Sequence, residues 1–385
     1  MTTYVMVSLT KDSAARMLAD GPRRDLLEVA RELGATVDYA PASRQGAGWR
    51  RRLLGAHVRQ AWALARRVRT GDTVLADGEH TGLPLLLFLA LRRRRPRRVV
   101  VIGHLVSRPW KLAALAVVTR IGAPGVLVLH SVEQRRRVAR RLGRRWSVAL
   151  VPYQVDTRFW TGIEERSAEP RSRVVAVGSE HRDYETLARA AAGLDADVVI
   201  AAGSHWARTR AGLAAMPPNV QFVDQTLGFV ELRELYRSAA VVAVPLHDVP
   251  NQSGVTTILE AMSCGVPVVV TATAGQRECI SGPLVEHDGQ LEVSTQFSHG
   301  PHVLGAAPAP TGQTGLYVRP GDAAGLRHAL EQLVADDDLA RAAGGRARQV
   351  AEDAFSIEQF VETFAALLNH AAPAQRAMER EAVVA

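Results

Sequence analysis

The chain has 385 residues, 47% of them hydrophobic, with a formal charge of +8 at pH 7 and two cysteines. That length exceeds what one hydrophobic core usually serves, so two domains of roughly 150–200 residues are expected. Cys264 and Cys279 exclude a disulfide framework and supply no metal-ligand spacing, which predicts buried free thiols, no bound metal and a cytoplasmic, reducing setting.

From the amino terminus, Thr2 to Thr10 read as a strand with no basic leader, so no secretory signal is expected. Strand-like runs follow at Tyr4–Ser8, Thr36–Tyr39, Thr73–Ala76, Arg98–Ile102, Gly125–Leu129 and Val148–Val151, separated by helical patterns such as Asp25–Leu33 and His57–Val68. This βαβ rhythm predicts a parallel, doubly wound sheet. The longest strongly apolar helix-like run, Leu83–Leu91, is too short to span a bilayer.

Residues 1–150 carry 29 Lys and Arg against 10 Asp and Glu, while the remainder carries 18 against 29. The clusters Arg50–Arg52, Arg92–Arg98 and Arg135–Arg137 are not joined by an aromatic stacking platform or a nucleic-acid module, so no nucleic-acid partner is expected. The arginines flank the apolar stretches Leu83–Leu91 and Leu112–Val118, a composition suited to peripheral attachment at an anionic membrane surface, such as the inner membrane face. A solvated arginine-rich face, in a chain with only two lysines, is the alternative.

Val151-Pro152-Tyr153-Gln154-Val155-Asp156 has little periodicity and reads as a hinge. The βαβ rhythm resumes with Val174–Val177, Asp197–Ala201, Val220–Val223, Val241–Val244 and Val266–Val270, predicting a second sheet. The expected organisation is a first domain over 1–151, a linker over 152–160, a second domain over 161–354, a helix over 355–370 and a loosely attached tail over 371–385. Residues 281–313, rich in Gly, Pro, His and Ser, are longer than ordinary connections and read as an insertion beside the cleft, or as a disordered one.

Ligands of doubly wound sheets sit beyond the carboxyl ends of the strands. There the first half places Asp77, Gly78, Glu79 and His80, then His104, then His130, Ser131 and Glu133; the second places Gly178 to Asp183 and His247 to Gly254. The segment starting Asn251-Gln252-Ser253-Gly254 joins a polar loop to a helix beginning near Val255 or Thr256, and the helix to a buried strand. The first helical turn, with Ser253, Gly254, Val255, Thr256 and Thr257, offers unpaired N–H groups and a dipole to a phosphate. Glu260, on the same face as Thr256, offers a carboxylate to a vicinal diol such as ribose, and phosphate plus diol describe a nucleotide. An ordinary helix-to-strand core connection would use the same pattern.

Leu-Glu-Ala-Met-Ser-Cys-Gly-Val-Pro-Val-Val, residues 259–269, closely resembles the signature of the retaining family-4 glycosyltransferases of the GT-B superfamily. The resemblance implies an α/β GT-B architecture of two facing Rossmann-like doubly wound domains with an interdomain cleft, the first binding acceptor and the second binding donor. The hinge at 151–160 is similar to the interdomain segment of these enzymes, with Gln154 where glycine is customary, and their last helix crosses back onto the first domain. The implied reaction moves a hexose from a nucleotide-diphosphate sugar, a UDP-sugar or GDP-sugar, to a hydroxyl of a lipid or small-molecule acceptor. It proceeds with retention, without metal, and with no cofactor beyond the donor substrate.

Residue by residue, Arg182 in Val-Gly-Ser-Glu-His-Arg-Asp resembles the cation that neutralises the donor diphosphate, with Gly178 in the same turn, although a Gly-Arg…Lys-Gly pattern is more typical. Pairing of Arg182 with Asp183 or Glu180 is the structural alternative. Glu260 matches the second glutamate of the family's paired-glutamate signature and implies a ribose contact; the first glutamate falls on Gln252, whose amide supports an oxocarbenium-like centre less. His104 resembles the first-domain histidine that approaches the donor sugar, and Glu79 and His80 are candidates for acceptor binding or proton handling. The glycine-rich amino-terminal loop of many relatives is replaced by Leu9-Thr10-Lys11-Asp12-Ser13. A nucleotide-sugar epimerase on the same fold, a noncatalytic nucleotide-sugar-binding protein and a nucleic-acid protein using the basic half are the alternatives.

Overall fold

The computed structural model describes residues 1–42, 49–106, 108–138, 141–162, 172–203, 216–223, 225–276, 278–282, 284–285, 291–292 and 312–369. The chain divides into two compact units: Met1–Ala19, Arg23–Val151 and Glu358 onward form the first, Asp20–Pro22 and Pro152–Ile357 the second.

The first unit is built on a parallel sheet of β1 (Thr3–Val7), β2 (Thr36–Tyr39), β3 (Thr73–Ala76), β4 (Arg98–Ile102), β5 (Gly125–Leu129) and β6 (Trp146–Leu150), in the order β2-β1-β3-β4-β5-β6. Its inner strands are Val- and Leu-rich runs buried on both faces, as parallel sheets require. β1 ends one residue before the sequence reading because the Ser8 N–H donates to the Asp77 carboxylate instead of continuing the ladder. β6 starts two residues earlier, where the Trp146 indole N–H donates to the Ala123 carbonyl at 2.9 Å and fixes the strand's entry. The helix Asp25–Glu32 packs through Leu26, Val29 and Ala30, an i, i+3, i+4 stripe. The last helix, Ile357–Asn369, belongs from Glu358 onward to this unit; Arg23 pairs with Glu358 at 2.8 Å and Arg97 donates to the Asn369 carbonyl at 2.7 Å.

The second unit holds β7 (Val174–Val177), β8 (Val198–Ala201), β9 (Val220–Phe222), β10 (Val241–Val244), β11 (Val268–Thr271), β12 (Leu284–Val285), β13 (Leu291–Glu292) and β14 (Gly315–Val318). Their order is β13-β12-β14-β11-β10-β7-β8-β9, parallel except for the β12–β13 pair. Two cores sandwich this sheet. One gathers Val175, Val242, Val268 and Ile258 beneath the helix Val255–Ser263; the other gathers Val174, Val241, Leu187 and Leu330 beneath the helices Tyr184–Ala191 and Ala323–Ala335. Val155 pairs with Ser356, its N–H donating to the Phe355 carbonyl at 2.8 Å, so the segment expected to be a linker is hydrogen-bonded to the end of this unit.

Of the expected insertion 281–313, Leu284–Val285 lies parallel to β14 and antiparallel to Leu291–Glu292, extending the sheet edge. The rest of that insertion, at 283, 286–290 and 293–311, and the expected tail at 371–385 lie outside the described residues. Among the described residues no helix is long and apolar enough to cross a membrane.

Both sheets reverse their winding direction once. In the first, β1 is flanked by β2 and β3; in the second, β7 is flanked by β8 and β10. A doubly wound sheet opens a crevice at that switch point, beyond the carboxyl ends of the two strands. Residues following β1 and β3, and β7 and β10, are therefore the ones the topology offers to ligands.

Candidate active site

After β7 the chain turns at Gly178 (φ +95°) and His181 (φ +54°), delivering Arg182 back over the strand end. Arg182 is buried. Its Nε donates to the Val177 carbonyl at 3.0 Å, Nη1 to the Glu180 carbonyl at 2.9 Å and Nη2 to Thr257 Oγ1 at 3.0 Å. The partner from Glu180 is thus its backbone oxygen. Asp183, the other carboxylate considered for Arg182, instead caps the helix Tyr184–Ala191 by accepting the Thr186 N–H at 3.0 Å. Burial pulls the Arg182 pKa down, but a guanidinium stays protonated at any physiological pH.

Two glycines make room for this cation. A Cβ on Gly178 would come within 2.8 Å of Arg182 Nη2, and one on Gly254 within 2.7 Å of Val244 and 3.3 Å of Arg182 Nη1. Gly254 also stands in the left-handed region at φ +81°, where it caps the helix Val255–Ser263.

That helix starts at Val255. Its first i to i−4 bond runs from the Ile258 N–H to the Gly254 carbonyl at 3.0 Å, so the N–H groups of Val255, Thr256 and Thr257 precede the intrahelical ladder. No acidic residue stands in its first turn. Thr256 is exposed, while Thr257 is buried against Arg182. The preceding loop is braced: Asn251 Nδ2 donates to Ser253 Oγ at 2.8 Å, and Gln276 Nε2 to the Ser253 carbonyl at 2.9 Å.

One turn further along, Glu260 accepts a hydrogen bond from the buried Tyr236 Oη at 2.9 Å and is itself half-buried. Burial, reinforced by the neighbouring Glu260 charge, pushes the Tyr236 pKa well up, so the phenol remains a donor. Gln252 donates from Nε2 to Glu278 Oε2 at 3.2 Å, and Glu278 is only 3% exposed. The side-chain carbonyl oxygens of Gln252 and Gln276 are buried and, among the described residues, have no hydrogen-bond partner. Buried acceptors left open beside a helix N-terminus are the kind a bound ligand's hydroxyls would satisfy.

In the first unit the residues after β3 and β4 form a second polar group. His104 Nε2 lies 2.9 Å from the Asp77 carbonyl, and the His104 N–H donates to Glu79 Oε2 at 3.0 Å. Glu79 is buried; Oε1 accepts from the Leu105 N–H at 3.2 Å and from Lys111 Nζ. Burial alone would raise the Glu79 pKa, but Lys111 and the backbone donors outweigh it and hold the carboxyl below its ordinary value. Glu79 therefore fixes the backbone that carries His104, and its carboxylate is occupied by protein donors. His104 itself is exposed, its ring 5.8 Å from that of His130, whose Nδ1 sits 2.9 Å from the Val151 carbonyl. His80 stacks edge-on against His57 at 4.8 Å, and burial lowers its pKa.

The structure thus brings Gly178, Arg182, Ser253, Gly254, Val255, Thr256, Thr257 and Glu260 to one end of the second sheet with Gln252, and Glu79, His80 and His104 to one end of the first. Sequence reasoning passed over Glu278, Tyr236, Lys111 and Gln134, which donates to the His104 carbonyl at 2.6 Å. Glu278 was reachable by the strand-end rule, since it follows β11; Tyr236 carries no local signal. Among the described residues no group of three or more His, Cys, Asp or Glu could hold a metal ion. Both cysteines are buried, which pushes the Cys264 thiol up to about 12 and the Cys279 thiol higher still.

The class defined by this fold is shared with solved structures over nearly the whole chain. Sucrose-phosphate synthase from Thermosynechococcus elongatus superposes with a TM-score of 0.65 at 17% identity, over 95% of this chain and 98% of that one. Trehalose 6-phosphate synthase from Burkholderia multivorans gives 0.64 at 14% identity, over 99% of each. Anabaena HepE, solved with UDP and glucose, gives 0.58 at 15% identity, over 96% of this chain and all of that one. These likenesses establish the two-domain GT-B architecture.

Residues 171–336 match the family model described as glycosyl transferases group 1. A D-inositol 3-phosphate glycosyltransferase from Corynebacterium jeikeium (strain K411) is 32% identical over 151 residues, which is 39% of this chain and 28% of that protein's length. The chain thus has the GT-B fold of these solved structures, and its residues 171–336 are similar to the glycosyl transferases group 1.

Proposed function

We propose that this protein transfers a sugar from a nucleoside-diphosphate sugar to an acceptor hydroxyl, with retention of anomeric configuration and without a metal ion. The observation that carries the reading is the buried Arg182 guanidinium locked to Thr257 in the first turn of the helix Val255–Ser263, with Glu260 one turn along the same helix. A diphosphate would meet a fixed cation and free helical N–H groups, and Glu260, oriented by Tyr236, would accept from the ribose hydroxyls. HepE was solved with UDP and with UDP-glucose, which supports a nucleotide sugar as the partner here.

As the bond between the anomeric carbon and the diphosphate oxygen breaks, negative charge grows on the departing phosphate. Arg182 and the helix N-terminus are preorganised for that charge, which is the largest kind of catalytic contribution a protein makes without covalent chemistry. The acceptor oxygen bonds the anomeric carbon on the face the diphosphate leaves, and its proton passes to the departing phosphate oxygen. Gln252 and Gln276 would accept from sugar hydroxyls through their open side-chain oxygens. His104, held by Glu79 and Gln134, would serve the sugar and acceptor from the first unit. In this reading residues 1–151 serve the acceptor, a lipid or a small molecule, and residues 161–354 serve the donor, with 152–160 joining them.

The test is incubation with UDP-, GDP-, ADP- and dTDP-sugars, with and without EDTA, following release of the nucleoside diphosphate in the presence of acceptor pools. Acceptor-dependent release unaffected by EDTA supports the reading. An altered sugar still attached to its nucleotide, formed without acceptor, would assign an epimerase, and tight nucleotide-sugar binding with no turnover would assign a noncatalytic binding protein.

A further inference from the structure

Among the described residues, most of the exposed large apolar side chains stand on three helices of the first unit. Trp49–Arg67 exposes Val58 and Trp62, Glu79–Leu91 exposes Leu87 and Leu91, and Pro109–Ile121 exposes Trp110, Val117 and Ile121. Leu91 is 69% exposed and Trp110 62%. The middle helix packs against both others, so the three faces adjoin; Trp62 meets Phe88 across that packing with ring centroids 5.2 Å apart. From Gly82 to Leu91 the middle helix carries no polar side chain, although its outward positions are open to solvent. A helix apolar all round belongs in an apolar environment.

Charge around this face is of one sign. No Asp or Glu occurs from Tyr39 to Gly71 or from His80 to Val132. Arg59 and Arg66 are exposed on the first helix, Arg92 to Arg95 follow the second and Arg108 and Arg120 border the third. Arg92 lies 5.4 Å from the Trp62 ring centroid, so a cation and an indole share this surface.

We infer that this three-helix face docks onto an anionic lipid bilayer. Aliphatic side chains and indoles enter the interfacial zone while the arginines reach phosphate headgroups, the distribution seen in helices that lie in a membrane surface. A second copy of the chain would set arginine against arginine, and a nucleic acid would leave Leu91, Val117 and Ile121 uncovered. The inference stands on the first unit alone and does not depend on the donor reading.

The experiment is co-sedimentation of the full chain with vesicles of phosphatidylcholine alone and of phosphatidylcholine mixed with phosphatidylglycerol. Binding to the mixed vesicles only, weakened by salt, is expected. The variant Leu91→Ser/Val117→Ser/Ile121→Ser should lose tenfold or more in vesicle affinity while keeping the wild-type melting temperature, and Arg92→Gln/Arg94→Gln/Arg95→Gln about a hundredfold. Should the serine variant fold poorly, quenching of wild-type tryptophan fluorescence by bilayers with brominated acyl chains reads insertion without any substitution. Absence of binding or quenching with the mixed vesicles overturns the inference. So does a folded serine variant that binds as the wild type does, or a dimer in light scattering that this variant abolishes, which would assign the face to a second copy.

Discussion

Gln252 donates a hydrogen bond from its side-chain amide to the carboxylate of Glu278 across 3.2 Å, joining the loop ahead of the helix Val255–Ser263 to the loop after β11. Position 252, where the resemblance implied a carboxylate, thus carries an amide with a buried acid beside it. With the transferred sugar against Gln252, as proposed above, the Glu278 carboxylate behind that amide would add negative potential near the reacting carbon. Glu278→Gln should lower kcat by about 10²-fold while nucleoside diphosphate affinity changes little, because the loss falls on the transition state. Steady-state kinetics beside calorimetric binding separate the two.

Thr257 occupies one arm of the Arg182 guanidinium. Thr257→Val keeps the shape but strands a buried donor, which costs about 1–3 kcal/mol of stability in urea denaturation. Because the guanidinium then loses the one of its three anchors that ties it to the helix, nucleoside diphosphate affinity should fall as well.

Tyr236→Phe removes the hydrogen bond that orients Glu260, worth about 1.5–3 kcal/mol for an ionised acceptor. If Glu260 reads the ribose, the preference for a ribonucleoside diphosphate over its deoxy analogue should shrink in Tyr236→Phe and vanish in Glu260→Ala. Competition binding of the two ligands measures it.

His80 contributes a pH dependence. Burial lowers its folded-state pKa below the ordinary 6.5, so the unfolded chain binds the proton more tightly. The stability this gives is complete above pH 6.5 and is lost as pH falls through the folded pKa. Glu79, held below its ordinary 4.5, adds a second loss only in a more acid window. Melting temperatures of wild type and His80→Gln should therefore converge on lowering the pH from 7.5 towards 5, with the substituted protein showing the flatter profile.

Alternating strand and helix patterns made both sheets legible, since parallel strands buried on two faces read as short Val-rich runs. The strand-end rule then picked out Arg182, His104 and the loop before Val255. What stayed hidden is tertiary: that Arg182 spends its donors on two carbonyls and Thr257, that Glu79 is enclosed by Lys111 and the backbone at His104, and that Tyr236, a residue on an unremarkable amphipathic helix, reaches Glu260. Side chains distant in sequence meet only through the sheet order, which local periodicity does not encode. The first strand ended one residue early because a side chain competed for a backbone group, as Asp77 does at Ser8.

The most direct test of the central claim is thermal stabilisation by UDP, GDP, ADP and dTDP of wild type and of Glu260→Ala. One nucleoside diphosphate should raise the melting transition, by an amount equivalent to about 2.7 kcal/mol at a hundredfold excess over Kd, and the variant should lose that response. No stabilisation of the wild type by any of the four at millimolar concentration would contradict the account.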